Sequence, residues 1–417
     1  MLKKSFIIVL IQLVGSVLGL VTIYFVAGSM EPEVYSLVGV YTVISNIVMT
    51  FSDLGIETTM MREVLFWIEN NNEEKVVEYS TQALLSRVFA FLIILPILLI
   101  YVFYMNFIKY NGGRLILLLL ALVGAQISSM NNAMSLIVRS KGGYIFSQAA
   151  STVNNYLLKF AGLGLYFAFG ANVYLYFYVL SSIPLSIVYF FKLRHTLDIK
   201  YIKLKFMLKK VYTARFLWLK TDLDYVKNSA DSLLVSALFP TYIMGSYTIF
   251  KNFEQLSKNI IEGFFDVLSQ STVKYKGKSD ELKRQEKKIK SVRSLVILVV
   301  ILLLGIFSIN TQFFIKLVHL SKYDAMSEII FCIAIITIIH LIGKYEINAI
   351  AFFASPKLNF ILGLIVLVCS IISFGIILIS PSIEGVLLQR IAVYFAYSII
   401  AIIIFKKKRA ELYTTIK

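Results

Sequence analysis

Four long stretches of the chain contain no charged residue, and this feature constrains the fold more than any other. Residues 5–30, 88–108, 115–138 and 358–383 each run for 21 to 26 residues without Asp, Glu, Lys or Arg. A helix needs about 20 apolar residues to cross a hydrocarbon core of roughly 30 Å. Because no water is available there for backbone groups, each stretch is expected to be a helix. The sequence therefore predicts an all-α integral membrane protein.

Composition agrees with this prediction. Of the 417 residues, 58% are hydrophobic and 16% are charged, whereas soluble proteins have about 25% charged residues. The first run is too long for a signal-peptide core and has no small-residue cleavage site before Glu31, so it is interpreted as a retained helix. Cys332 and Cys369 both lie in apolar runs, which argues against a disulfide or a cysteine metal site.

The apolar runs and the breaks between them predict about twelve transmembrane helices. Their expected ranges are 5–28, 34–55, 81–105, 114–138, 144–169, 172–192, 212–238, 241–272, 293–316, 326–348, 357–380 and 384–405. With the N-terminus inside, 31 of the 41 basic residues lie in inner segments and four in outer ones. Basic loops stay on the cytoplasmic side, so both termini are expected to be cytoplasmic, in the plasma (inner) membrane. This distribution explains the net charge of +17 without nucleic-acid binding.

The longest basic stretch, residues 192–215, follows the sixth helix. Six helices return the chain to the inner side, so the first helix of the second half crosses the membrane in the same direction as the first helix of the chain. This pattern predicts two six-helix lobes, 1–205 and 206–417, around a central cavity. The alternative is a long regulatory loop within an unrepeated helical bundle.

The seventh and eighth helices carry charges at helical spacing. On the seventh these are Lys220, Asp222, Asp224, Lys227 and Asp231, and on the eighth Lys251, Glu254, Lys258, Glu262 and Asp266. Residues three and four apart share one helical face. Each charge facing lipid would cost about 2.5 to 3.5 kcal/mol, so both stripes are expected to face protein or water. The alternative, two amphipathic helices on the membrane surface, fits poorly because these stripes mix both signs.

The first half has fewer polar candidates. Lys159 lies in the middle of the fifth helix, near Asn154 and Asn155, and is expected to meet an anionic group in a cavity rather than reach the headgroups. Asp53, at the inner end of the second helix, is either a substrate contact or a local cap. In the second half, Arg390 either reaches outward or pairs with Glu384.

Known catalytic and metal-binding patterns are absent from the sequence. There is no Gly-rich phosphate loop, no HExxH and no GxSxG. We therefore expect neither an enzyme nor a cofactor or metal. His340 could relay protons, but a lone buried histidine is more often a packing residue.

Short motifs along the chain resemble those of bacterial polysaccharide flippases of the multidrug/oligosaccharidyl-lipid/polysaccharide (MOP) superfamily. They are Asp53-Leu54-Gly55 with Arg62 beyond it, Asp231-Ser232-Leu233 in the seventh helix and Gly245-Ser246-Tyr247 in the eighth. The resemblance extends to length, helix count and the basic mid-chain linker. It implies a polyprenyl-pyrophosphate-linked oligosaccharide as cargo, flipped from the inner to the outer leaflet for O-antigen or capsule assembly by alternating access.

The resemblance also suggests roles and partners. Substrate-binding candidates are Lys159, Lys220, Lys227, Lys251, Lys258, Asp53, Asn154 and Asn155, and ion-coupling candidates are Asp224, Asp231 and Glu254. The expected partners are the lipid bilayer, the lipid-linked oligosaccharide, a polysaccharide polymerase and chain-length machinery. The alternatives are a cation-coupled multidrug exporter of the same superfamily and a membrane polysaccharide polymerase. The polymerase is disfavoured because the outer loops are short.

Overall fold

The computed structural model describes residues 2–53, 56–273, 279–309, 311–317, 319–323, 325–353 and 356–414. Within these ranges every regular element is a helix. The α-helices are α1 (Leu2–Ser29), α2 (Pro32–Phe51), α3 (Ile56–Glu69), α4 (Glu73–Tyr104), α5 (Leu115–Ser140), α6 (Tyr144–Thr152), α7 (Leu158–Phe169), α8 (Ala171–Leu180), α9 (Ile183–Leu193), α10 (Leu204–Leu238), α11 (Thr241–Val273), α12 (Ser279–Ile309), α13 (Thr311–Leu317), α14 (Met326–Phe353), α15 (Pro356–Ile379) and α16 (Ile383–Thr414).

Each of the twelve predicted ranges contains helix. The differences are breaks, extensions and one helix outside those ranges, α3. A π-helical turn, Val153–Leu157, divides the fifth predicted helix into α6 and α7. The sixth is divided into α8 and α9 at Ser181 and Ser182. Within the described residues, eight helices are long and apolar enough to cross a membrane. These findings confirm an all-α integral membrane fold.

The charged helices α10 and α11 are not among those eight. Both are nevertheless unbroken, with 35 and 33 residues. At 1.5 Å per residue each is about 50 Å long, more than a hydrocarbon core requires. Their crossing of the membrane stays a prediction, and their length is compatible with it.

The chain forms two compact units. Unit 1 comprises residues 1–22 and 34–241, and unit 2 comprises residues 23–33 and 242–417. The main boundary therefore falls between α10 and α11, whereas the sequence pattern suggested a division at 205/206.

Unit 1 is organised around α5, which packs against α4, α8 and α9. A Cβ on Gly124 would lie 2.2 Å from the carbonyl oxygen of Val179, so only glycine permits this close approach of α5 to α8. The main apolar core contains Val64, Val76, Tyr79, Ala83, Leu84, Ala133, Met134, Ile137, Val138, Leu185, Tyr189, Leu193 and Met207.

Unit 2 is organised around α14 and α16, with α12 and α15 packed beside them. A Cβ on Gly343 of α14 would lie 2.7 Å from the side-chain oxygen of Ser398 on α16. As in unit 1, a small residue lets two helices pack closely. The core of this unit contains Ile289, Leu341, Tyr345, Ala349, Ile350, Leu362, Val366, Ala401 and Phe405.

Basic residues at the start of α10 and just before it pair with glutamates of α3 and α4. Lys203 pairs with Glu78, and Lys210 pairs with Glu63, both at 3.1 Å. The phenol of Tyr201 donates to Glu74 at 2.9 Å. Glu78 and Glu63 are thus counter-charges for Lys203 and Lys210.

The C-terminal end of α10 is also joined to the C-terminal end of α4. Tyr101 and Ser236 share a hydrogen bond of 2.7 Å. The phenol of Tyr104 donates to the carbonyl of Ala237 at 2.7 Å, and Lys109, in the π-helical turn that continues α4, donates to the carbonyl of Phe239 at 3.0 Å. These donors satisfy carbonyls that the end of a helix leaves without intrahelical partners.

Candidate functional site

A carboxylate surrounded by three cations lies inside unit 2. Glu254 on α11 is 1% exposed. The ammonium groups of Lys251 and Lys258, one turn before and one turn after it, each lie 3.1 Å from its carboxylate. The guanidinium of Arg390 on α16 donates to the same carboxylate, and the phenol of Tyr394 donates to it at 2.7 Å. We call these five residues the Glu254 cluster.

The positive charges around Glu254 indicate that its carboxylate stays ionised. A protonated Glu254 would leave Lys258 and Arg390 close together without a shared counterion. Breaking a buried ion pair in this way costs about 3 to 5 kcal/mol. The geometry therefore favours Glu254 as a permanent counterion, and its role in ion coupling stays a prediction.

The structure corrects the expectation for Arg390. An outward-reaching side chain is wrong because Arg390 is 1% exposed. Its carboxylate partner is Glu254 rather than the expected Glu384. Arg390 and Lys258 also lie against the ring of Tyr394, at 5.1 and 4.9 Å from its centre, positions suited to cation–π attraction.

His340 borders the Glu254 cluster from α14. Its buried ring packs edge-on against Tyr394, with 6.0 Å between ring centres. This contact fits a packing role for the histidine, and a proton relay stays a prediction.

Unit 1 holds a cation in a different setting. Lys159 lies in the first turn of α7, directly after the π-helical turn. Its ammonium donates to the phenol oxygen of Tyr178 at 3.2 Å and lies 4.3 Å from the centre of that ring. The ring of Tyr41 packs edge-on against Tyr178. Across the described part of the chain, no carboxylate forms an ion pair with Lys159.

Asp53 belongs to a buried ion pair in unit 1. Its carboxylate lies 3.8 Å from the guanidinium of Arg87 on α4. Arg87 also donates to the carbonyl of Met49 at 2.7 Å and to the hydroxyls of Ser52 and Ser129 at 3.1 Å. This network joins the end of α2 to α4 and α5, so its geometry is that of a structural contact.

Arg87 is the residue that sequence reasoning missed. The predicted third helix, 81–105, places it in the second turn, whereas α4 begins at Glu73 and Arg87 lies four turns inside it. The capping residue Asn72, whose side chain accepts from the amide of Lys75 at 3.0 Å, is the signal that could have located the helix start.

A polar cavity of about 80 Å³ lies in unit 1, where α5 and the π-helical turn face each other. Asn154 and Asn155 both line it, as expected for residues of a binding site. The other lining residues are Met49, Ser128, Asn131, Asn132, Ser135, Ser151 and Leu185. No lining residue is ionisable, so the described wall of this cavity is polar and uncharged.

The remaining candidates lie on α10. Asp231 is buried, and its carboxylate accepts a hydrogen bond from the amide of Ser232 at 2.9 Å. The side chains of Lys220, Asp224 and Lys227 are outside the described residues. The structure thus groups Lys251, Glu254 and Lys258 in unit 2, and Asn154 with Asn155 in unit 1.

Comparisons with known proteins identify the fold. No protein-family model matches the chain, and no curated protein matches its sequence. A solved inward-facing multidrug resistance MATE family transporter of the MOP superfamily superposes with a TM-score of 0.70 at 13% identity, over 98% of this chain and 100% of that one. An outward-facing MATE transporter gives 0.63 at 14% identity, over 98% and 96%.

A third solved structure is a MOP superfamily transporter from Pyrococcus furiosus Vc1 (DSM3638). It is described as having a binding pocket of reverse polarity that suggests a different function. Its TM-score is 0.61 at 14% identity, over 99% of this chain and 95% of that one. At this identity the likeness concerns the fold, and it extends over almost the whole chain. The chain therefore has the fold of MATE transporters of the MOP superfamily.

Proposed function

We propose that the protein is a membrane transporter that works by alternating access and carries an anionic amphiphile. The cargo class is polyprenyl-pyrophosphate-linked oligosaccharide, flipped from the inner to the outer leaflet for surface polysaccharide assembly. The observation that carries this proposal is Lys159, a cation within the apolar helices whose described partners include no carboxylate.

The physical argument concerns the cost of a buried charge. An ammonium group without a counterion is expensive in a low-dielectric setting, and a bound anion offsets that cost. Lysine is a common phosphate ligand, so a pyrophosphate group is a suitable counterion for Lys159. The sugar head is too polar to cross hydrocarbon and needs a polar route through the protein. The lipid tail is apolar and needs no such route.

The second candidate function is a cation-coupled multidrug exporter. The fold comparisons favour it over the flippase, because two solved neighbours are described as multidrug resistance MATE transporters. A cationic drug would need a carboxylate to bind. Asp53 and Glu254 are each paired with a cation of the protein, whereas Asp222 on α10 has a buried carboxylate oxygen with no hydrogen-bond partner among the described residues. We rank the anionic cargo first because Lys159 is a cation within the apolar helices that has no carboxylate partner in the described part of the chain.

Reconstituted vesicles separate the two candidates. The flippase predicts movement of a fluorescent polyprenyl-pyrophosphate-linked sugar between leaflets, with loss of most activity in Lys159→Gln and retention in the exposed control Lys283→Gln. Ion-gradient-driven accumulation of a cationic dye, without movement of the lipid-linked sugar, would instead establish the exporter. Equal flipping by wild type and Lys159→Gln would remove Lys159 from the proposal.

Location and partners are part of the same proposal. The protein would lie in the plasma membrane with both termini and the basic linker cytoplasmic, and it would hand cargo to a polysaccharide polymerase and chain-length machinery. Cysteine labelling in intact cells tests the orientation. A cysteine placed in the linker should react only after permeabilisation, and one placed beside Pro240, between α10 and α11, should react before it.

A further inference from the structure

The polar cavity of unit 1 has hydrogen-bonding groups that its own wall does not use. Asn131 is engaged, donating to the carbonyl of Ser182 at 2.8 Å and accepting from Ser186 at 2.6 Å. Ser135 is engaged with Ser147. In contrast, within the described part of the chain the side chains of Ser128, Asn132 and Ser151 make no hydrogen bond.

The two asparagines of the π-helical turn extend this unused capacity. Asn154 is 4% exposed, and its side-chain oxygen has no hydrogen-bond partner among the described residues. Its amide nitrogen reaches Asn155 only at 3.4 Å, the long limit for such a bond. A buried polar atom without a partner costs about 1 to 3 kcal/mol, so a ligand or ordered water is expected at Asn154.

The chemical type of the unused groups restricts which ligands the cavity can bind. The unused groups are amides and hydroxyls, so the cavity offers donors and acceptors together and no net charge. A metal cation prefers oxygen acceptors alone, and an oxyanion prefers donors or cations. A neutral ligand rich in hydroxyl groups satisfies both kinds, because each hydroxyl donates once and accepts twice.

The size of the cavity is compatible with such a ligand. One water needs roughly 10 to 15 Å³ of this kind of volume, so 80 Å³ accommodates several waters. A pyranose ring with its hydroxyls could replace those waters and keep their hydrogen bonds. Asn132 and Asn155 are exposed at the rim, so the cavity is open to a ligand from that side.

We propose that this cavity is a carbohydrate subsite that binds one sugar ring of the cargo through Asn132, Ser151, Asn154 and Asn155. The proposal rests on the proposed function, since it assigns the sugar part of the cargo to unit 1. Its chemistry is separate from that of Lys159: the cavity recognises hydroxyls, and the ammonium recognises the pyrophosphate.

The test measures binding to the full chain in lipid nanodiscs by native mass spectrometry, which distinguishes ligands by mass. One ligand is polyprenyl pyrophosphate without sugar, and the other is the lipid-linked oligosaccharide extracted from cells that express the protein. The variant is Asn132→Leu/Ser151→Ala, chosen because neither side chain makes a hydrogen bond that the fold would lose. The control is Thr42→Val on α2, whose hydroxyl bonds within its own helix at 2.9 Å.

We expect the double variant to bind the sugar-bearing lipid at least about tenfold more weakly than wild type does, since about two hydrogen bonds are lost. Its binding of polyprenyl pyrophosphate should be unchanged, and Thr42→Val should match wild type with both ligands. Equal weakening for both ligands, or no weakening for either, would overturn the subsite and leave a water-filled cavity. If wild type binds neither ligand, the proposed function fails first.

Discussion

The two units treat buried polar groups in opposite ways. In unit 2, Lys251, Lys258 and Arg390 share the carboxylate of Glu254 as their counterion, and Tyr394 supplies a further hydrogen bond. In unit 1, Lys159 has a phenol as its described partner, and the nearby cavity has unused amides and hydroxyls. A group saturated by its own protein serves stability, whereas a group left unsaturated is available to a ligand. Substitutions should therefore affect the free energy of unfolding very differently in the two units.

The largest effect on stability is expected for Glu254→Gln. The change leaves three cations without their shared counterion, which should lower the free energy of unfolding by about 3 to 5 kcal/mol. Denaturant or thermal unfolding in detergent measures the loss. Glu384→Gln, at the exposed start of α16, is the matched control, and Glu254→Gln/Arg390→Gln should recover part of the loss. A Glu254→Gln protein as stable as wild type would mean that the cluster is not a structural unit.

A smaller loss is expected for Arg87→Met. The substitution removes the cation beside Asp53 and the donors to Met49, Ser52 and Ser129, at a cost of about 2 to 3 kcal/mol. The exposed Arg194→Met should be neutral in the same unfolding assay. Asp53→Asn/Arg87→Met should cost less than Arg87→Met alone, because a neutral side chain at position 53 does not need the cation. If the double variant were the less stable of the two, Asp53 would have a role beyond this ion pair.

Lys159→Gln should separate stability from function. Its loss of the contact with Tyr178 should change the free energy of unfolding by about 1 kcal/mol or less, although transport should fall severely. Lys159→Arg keeps the charge and should keep part of the transport activity. A loss of stability comparable to that of Glu254→Gln would contradict the contrast between the units, since Lys159 would then be a structural residue.

The smallest effect is expected for Lys203→Gln in the docked linker. Lys203 is largely exposed, and Glu78 keeps a second partner, Lys75, at 2.7 Å. Exposed ion pairs contribute about 0.2 to 1 kcal/mol. The loss should therefore be a few tenths of a kcal/mol and should shrink further at high salt. A salt-independent loss above about 1 kcal/mol would show that the linker contact is more buried in solution than its geometry implies.

The sequence was sufficient for the helices and insufficient for their pairings. Charge-free runs located helices such as α5 and α15 because the bilayer permits few other structures. The contact between Glu254 and Arg390 joins residues 136 positions apart, and no local pattern specifies such a partner. Arg87 lies within the predicted third helix, but its contacts with Met49 and Ser129 on other helices follow from no local pattern.

The π-helical turn was also invisible to periodicity. Residues 144–169 have the apolar character of one continuous helix, and nothing in their spacing marks the wider turn at Val153–Leu157. This turn presents Asn154 and Asn155 to the cavity and directly precedes Lys159. Such turns are often found at functional sites, so the least predictable local feature accompanies the best candidate residues.

The attachment of α10 to α4 at both ends has a mechanical consequence. Lys203, just before α10 begins, holds Glu78, and 33 residues later Ser236 holds Tyr101. A helix held near both ends resists sliding along its neighbour or tilting away from it, and the weaker of these two contacts is the exposed Lys203–Glu78 pair. If α10 moves relative to α4 during transport, we expect the Lys203–Glu78 contact to break first.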